Sequence, residues 1–459
     1  MSAVNRQGYA AGQLITKRLD ALGNLQSGLF GVSWWFVRVH LVTGGAWAMA
    51  AAQTQTFAYM ARAVTDDLPM NSAEKALLII GATMLGAFLG VFFFGGLADV
   101  RGRKFSMLVA FVITHVAGAM CAFSPTTLVL LICRFVVGFG LGGQQPIICA
   151  LIMELAPTNV RGQALVYMNA FFPVGAIFAE VFCREIEPFI GWRAVSLISV
   201  AALGYLPLLF YCVPESPKWL AMSGKIGEAL RVLRTIEQAS SIFHNEDADD
   251  VIKNLVLSED VVNNTKHVIL QAHKPSFCRS LTNRVRILLR FPYLSRTLML
   301  WFVWTVMAMT SSAMCVYLDE DFVDVVTDGG DKTILVYSIL VAQVIGNLYA
   351  CALIDRIGRR NTMIVFLVLA SVGSALEENL NMTTADVMWV FCVVLIGAAL
   401  AIFFFGIETA NRDVEKVGSR PSSGSTQRST SEAVVSYHKH DDDDDPQLVI
   451  AKNNPIHFI

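Results

Sequence analysis

The chain has 459 residues, of which 54% are hydrophobic and 16% charged, and its mean hydropathy is +0.54. Soluble proteins carry about 25% charged residues, so the deficit points to lipid and excludes an ordinary water-soluble domain. A net charge of −2 excludes the global basic field that gathers nucleic acid, and no nucleic-acid partner is expected.

The stretch Met1–Asp20 is polar and lacks the apolar core of a signal peptide. The first span must therefore direct insertion itself, and 1–36 reads as a cytoplasmic segment. Crossing a bilayer takes about 20 mostly apolar residues. Ten such runs follow, near 37–60, 76–98, 105–124, 127–153, 163–183, 194–213, 296–317, 334–354, 361–379 and 386–407. They read as helices, because an open strand edge finds no hydrogen-bond partner in hydrocarbon. The expected fold is an all-α membrane protein. It has a six-helix bundle over 37–212, a cytoplasmic loop with short helices over 213–294, four further helices over 295–410, and a tail over 411–459. Within the loop, Ser223–Ser240 is amphipathic at helical spacing. The tail is Ser-rich, then Asp-rich, and a block of like charge stays unfolded. Cation binding by His438, His440 and Asp441 to Asp445 is the alternative there. The nine cysteines form no C-x-x-C pair and most lie in apolar runs, where a thiol is a small hydrophobe. No metal, cofactor or disulfide is expected.

Orientation follows from Lys/Arg bias. Asp99–Lys104, Ala156–Gly162 and Asp355–Asn361 are basic loops on one side. Ser124–Thr127, Asp319–Lys332 and Glu377–Asp386 oppose them and are poor in Lys/Arg. Both termini are expected in the cytoplasm, in a plasma or vesicle membrane. Arg184 and Arg193 weaken the bias without reversing it, and Asn381-Met382-Thr383 is an outer-loop glycosylation sequon.

The most specific signal is a repeat. Leu97–Lys104 and Leu353–Arg360 both read L-x-D-x-x-G-R-[KR], each after the second span of its half. One copy is an ordinary basic loop; two at matching places indicate related halves. Asp99, Arg101, Arg103 and Lys104, with Asp355, Arg356, Arg359 and Arg360, can form a charged latch where the halves meet. Glu154 and Arg161, in E-x-x-P-x-x-x-R-G, join it. Arg134 opens R-x-x-x-G-x-G-x-G-G inside a span. No strand precedes these glycines, so they serve close helix approach rather than a dinucleotide. A charge within a span usually meets a partner or an aqueous path, so Arg134 has either a structural or a transport role. Glu180 has solute or ion contact, or an outer pair with Arg184. Gln53, Gln55, Gln144, Gln145, Asn169, Gln343 and Asn347 offer neutral hydrogen bonds to a solute or between helices. Trp301 and Trp304 line a cavity or anchor at the interface. His115 reads as a packed core residue.

These motifs resemble the major facilitator superfamily. Its signature falls between helices two and three and again between eight and nine. Val100 departs from the basic residue usual after the first Asp. The "PESPKWL" element after span six, with "GWR" before it, is similar to sugar porters, organic-ion transporters and the synaptic vesicle glycoprotein 2 branch. The seventh span, "LWFVWTVMAM", lacks sugar-porter amides and looks closer to the synaptic vesicle 2-related proteins. That branch has acids in helix one where this chain has Ala50 and Gln53. A neutral amide cannot exchange a proton, which puts coupling through that helix in doubt.

The resemblance also implies a gap. Ile407, Glu408, Thr409 and Arg412 match the phrase that closes helix twelve, so two spans before it, helices ten and eleven, are missing. The alternative makes 386–407 helix ten, with Glu408 its acid. The resemblance implies a secondary transporter that moves a small organic solute, with or without a coupling ion, by alternating access. The competing expectations are a transport-inactive receptor or scaffold associated with a homologous chain, and an incomplete reading of a twelve-helix transporter gene. Nothing in the sequence suggests an enzyme.

Overall fold

The structure is a computed structural model. It describes residues 15, 19, 34–59, 61–68, 70–71, 74, 81–157, 160–241, 286, 289, 293–317, 332–354, 356–378 and 385–405. Asp355, the sequon, the Asp-rich tail and the Glu408 phrase lie outside them.

The described residues of each expected span fall mainly on helix. The first half holds α1 (Trp34–Tyr59), α2 (Ala82–Arg101), α3 (Arg103–Met120), α4 (Thr127–Leu155), α5 (Arg161–Asn169), α6 (Phe171–Val181), α7 (Ile198–Leu203) and α8 (Leu206–Cys212). A short helix, α9 (Pro217–Met222), and an amphipathic one, α10 (Ile226–Ser241), follow. The second half holds α11 (Tyr293–Tyr317), α12 (Lys332–Ile354), α13 (Arg359–Glu378) and α14 (Ala385–Phe405).

Local chemistry explains the ends. Thr126 accepts the Val129 N–H to cap α4, and Ser216 accepts the Trp219 N–H to cap α9, where Pro217 opens the first turn. Spans five and six differ from the single helices expected. In span five the hydrogen-bond ladder is interrupted at Ala170, where the backbone stays right-handed helical, just before α6, whose third residue is Pro173. In span six the ladder is interrupted at Gly204 and Tyr205, again with right-handed helical backbone, just before α8, whose second residue is Pro207. A proline has no N–H for the preceding turn, so it starts a helix more readily than it continues one.

The first half packs α4 against α2 and α3, and α1 against α6. A Cβ on Gly86 or Gly90 would run into the carbonyls of Phe135 and Phe139, and one on Gly138 or Gly142 into those of Thr83 and Ala87. The α2 and α4 backbones therefore touch, as the glycine spacing predicted. Phe94, Met107, Phe111, Ile148, Leu151 and Met168 fill the main core. In the second half, Val303, Val306, Leu367, Leu395, Ala398 and Ile402 form a smaller one among α11, α13 and α14. α12 lies chiefly against α5 and α6, and joins the halves.

Candidate functional site

Two polar clusters stand out in an otherwise apolar assembly. The first is built on the turn between α2 and α3. Gly102, at φ 105°, reverses the chain there, a conformation that favours glycine. This brings Arg103 under the end of α4. Arg103 Nε and Nη2 donate to the two Glu154 oxygens, both at 3.1 Å. Its Nη1 donates to the Ala98 carbonyl at 3.0 Å and lies 3.2 Å from Asp99. Glu215 accepts the first backbone N–H groups of α3, from Arg103 at 2.8 Å and Lys104 at 3.1 Å. An acid at that helix end is favoured by the dipole. Trp219 Nε1 donates to the Asp99 carbonyl at 2.8 Å, and Lys104 Nζ to the Phe210 carbonyl at 2.5 Å.

Among the described residues, Arg103's partners belong to the first half, whereas the expected contact ran across the halves. Arg101 stands exposed over the Phe105 ring, and Arg161 donates to the Ala156 carbonyl at 3.2 Å. In the second half, Gly358 repeats the turn at φ 90°. Arg360 donates to the Phe403 carbonyl and covers that ring, Arg359 is half-buried, and Arg356 is exposed.

The second cluster is inside the first half. Arg134 on α4 is 2% exposed. It borders a cleft with Gln53 and Thr56 of α1, Gly118 of α3, Cys121, Ser196 and Ser199. The cleft has room for about one water molecule. Ser199 Oγ donates to Gln53 Oε1 at 2.5 Å. A Cβ on Gly118 would strike both side chains, so that glycine makes the room. The Cys121 thiol donates to the Ala117 carbonyl at 3.4 Å.

Of the expected solute residues, the structure brings together Gln53 and Arg134. Glu180 pairs instead with Arg184, whose Nε donates to it at 2.8 Å. Gln145 is half-buried on α4, Trp304 on α11 is exposed, and Asn347 donates to the Gln343 carbonyl at 2.9 Å on α12. None of these lines the cleft. His115 packs against Phe111 at 4.3 Å between ring centres. Sequence reading missed Ser196, Ser199, Thr56 and Cys121. The one available signal was two serines three apart in an apolar run, which share a helix face.

A helical membrane protein whose halves repeat one charged turn, with a buried cation beside a cleft, belongs to the class of secondary transporters for small organic solutes. The sequence profile of the sugar (and other) transporter family matches residues 41–295, and the chain belongs to that family. It is 28% identical over 333 residues to the niacin transporter NiaP of Acinetobacter baylyi, covering 72% of this chain and 70% of that protein. It is 24% identical over 394 residues to the synaptic vesicle 2-related protein of Rattus norvegicus, covering 79% of this chain and 64% of that one. This chain therefore spans less than two thirds of the second relative's length. Among solved structures, the proton:xylose symporter XylE, a major facilitator superfamily protein, superposes with a TM-score of 0.58 at 18% identity over 80% of this chain and 79% of that one. The last likeness shows the fold.

Proposed function

We propose that the chain carries a small organic solute by alternating access, with the Arg134 cleft as the first half's side of the solute site. One observation carries this reading: a guanidinium, 2% exposed, borders a cleft beside the hydrogen-bonded Gln53 and Ser199 pair. A charge at the centre of a span costs about 2.5–3.5 kcal/mol on insertion scales, and its usual use is a partner or an aqueous path. The cleft admits about one water in this conformation, so the solute enters as the halves part. Gln343 and Asn347 on α12 are the second half's candidates. A guanidinium pairs best with a carboxylate, so a small organic carboxylate fits the cleft best. The relative named as a niacin transporter makes nicotinate the first probe.

Among the described residues the lining has no carboxylate, so the reading includes no proton coupling through α1. Lys/Arg bias supports cytoplasmic termini. The Asp99, Arg103 and Glu154 cluster is then a latch on that side, with Arg359 and Arg360 at its repeat. The test is uptake by the full chain in liposomes, with labelled nicotinate, a neutral sugar and an organic cation. Nicotinate uptake is expected, with a loss of about 10- to 100-fold in Arg134→Ala, the size of a charge-assisted hydrogen bond, and partial recovery in Arg134→Lys. Uptake of none of the three, or equal uptake in wild type and Arg134→Ala, refutes the reading.

A further inference from the structure

We infer that the Arg134 cleft binds a small monovalent inorganic anion, of which chloride is the type, and that the solute's carboxylate displaces it. The anion site stands on the cleft itself; the displacement rests on the solute reading of this cleft.

The hydrogen bonds around the cleft leave donors facing it. Ser199 Oγ lies 2.5 Å from one end of the Gln53 amide. That length suits O–H···O and is too short for N–H···O, so the near atom is Oε1 and the amide nitrogen is at the other end. The nitrogen lies over Gly118, where a Cβ would strike it, and Gly118 lines the cleft. A hydroxyl bonded to Oε1 polarises the amide and makes its N–H groups better donors. The Ser196 hydroxyl donates to the Trp192 carbonyl at 2.9 Å, and the Cys121 thiol to the Ala117 carbonyl at 3.4 Å. Arg134, Gln53 and Thr56 are the lining residues that remain to donate to a ligand.

Size and charge narrow that ligand. The cleft has room for about one water molecule, and a chloride ion is little larger than a water. A whole organic solute does not fit in this conformation. Among the described residues the lining holds no carboxylate, so a cation gains nothing there. Arg134 is 2% exposed, and opposite charges attract far more strongly in a low-dielectric interior than in water. An anion beside the guanidinium therefore prevails over a neutral water. Chloride and carboxylate are then alternative occupants of one donor set. The inorganic anion balances the buried cation before the solute arrives, and the carboxylate balances it afterwards.

Melting of the full chain in detergent tests this, with sodium chloride or bromide exchanged for sodium methanesulfonate at constant ionic strength and pH. Methanesulfonate is too large for the cleft. A ligand of the native state raises the melting temperature in a saturable way, and that rise is expected with both halides and not with methanesulfonate. Arg134→Met abolishes it. Replacing buried charge by apolar volume is often neutral or stabilising, so this variant melts no lower than wild type in methanesulfonate. Gln53→Leu, which changes no charge, decides the matter where Arg134→Met does not fold. It needs at least about tenfold more halide for the same rise, the loss of one hydrogen bond to a charge. In liposomes, chloride at about ten times its half-saturating concentration raises the KM for nicotinate about tenfold and leaves the maximal rate unchanged. The inference fails if the halides shift melting no more than methanesulfonate does, the result for a cleft that holds only water, or if the shift survives both substitutions unchanged. Nicotinate uptake that needs Arg134, without any halide shift, keeps the solute reading and removes the anion site. A halide shift through Arg134 with a chloride-independent KM keeps the anion site, and overturns the displacement together with the solute reading.

Discussion

Arg103 ties the end of α2 to the end of α4, while Glu215, reaching in from beyond α8, holds the backbone beside it. Its side chain and that of Glu154 are 16% and 18% exposed, between the surface and buried cases. Removing either partner is expected to cost about 1–3 kcal/mol, above an exposed pair and below a fully buried one. The double variant is expected to cost less than the sum of Arg103→Ala and Glu154→Ala. Melting of the three proteins in one detergent reads this directly, and strictly additive losses would dismiss the pair as an energetic unit. Arg103 was legible in the sequence because its motif recurs after the eighth span, and Glu154 because it opens the E-x-x-P-x-x-x-R-G element at the end of the fourth. The Gln53–Ser199 bond was not. It joins residues 146 apart, and no spacing rule says which faces of α1 and α7 will meet.

Elements were legible to the extent that lipid dictates them. The described residues of the ten apolar runs are almost all helical, because a spanning backbone must satisfy its own hydrogen bonds. Their internal breaks followed from prolines whose position within a turn only the structure fixes, as with Pro173 and Pro207. Glycines behave likewise. Gly90 and Gly397 look alike in sequence, each in an apolar helix. A Cβ on Gly90 would run into the Phe139 carbonyl, whereas one on Gly397 would meet nothing within 4 Å. Without a hydrophobic force between helices in lipid, close packing is what holds α2 to α4. Gly90→Ala is therefore expected to lose at least about 2 kcal/mol, in the range of overpacked cores. Gly397→Ala is expected to be neutral, or to gain up to about 1 kcal/mol from helix propensity. Thermal melts of the two variants would rank them, and equal shifts would contradict the packing derived for α2 and α4.

For the whole molecule, the repeated turn was the strongest sequence signal, and it led correctly to the two-half fold. The course of the coupling is a question for the molecule as a whole, and it turns on Gln53. Its amide shares the cleft with Arg134 and bonds Ser199. An amide has no proton to exchange between pH 5 and 8, so this cleft adds no pH dependence to wild-type uptake. Gln53→Glu places a titratable acid there. When ionised, it is a tethered anion that competes with an anionic solute for the guanidinium. When protonated, it is nearly the original amide in shape and charge. The sign follows: uptake by the variant, divided by that of wild type at each pH, should be depressed at pH 8 and rise as pH falls. Taking the ratio removes any titration of the solute itself. The expected depression at pH 8 is about tenfold or more, the cost of one opposed charge contact. A ratio that stays flat across the range would mean that Gln53 and the solute do not share Arg134, and would move the solute site away from this cleft.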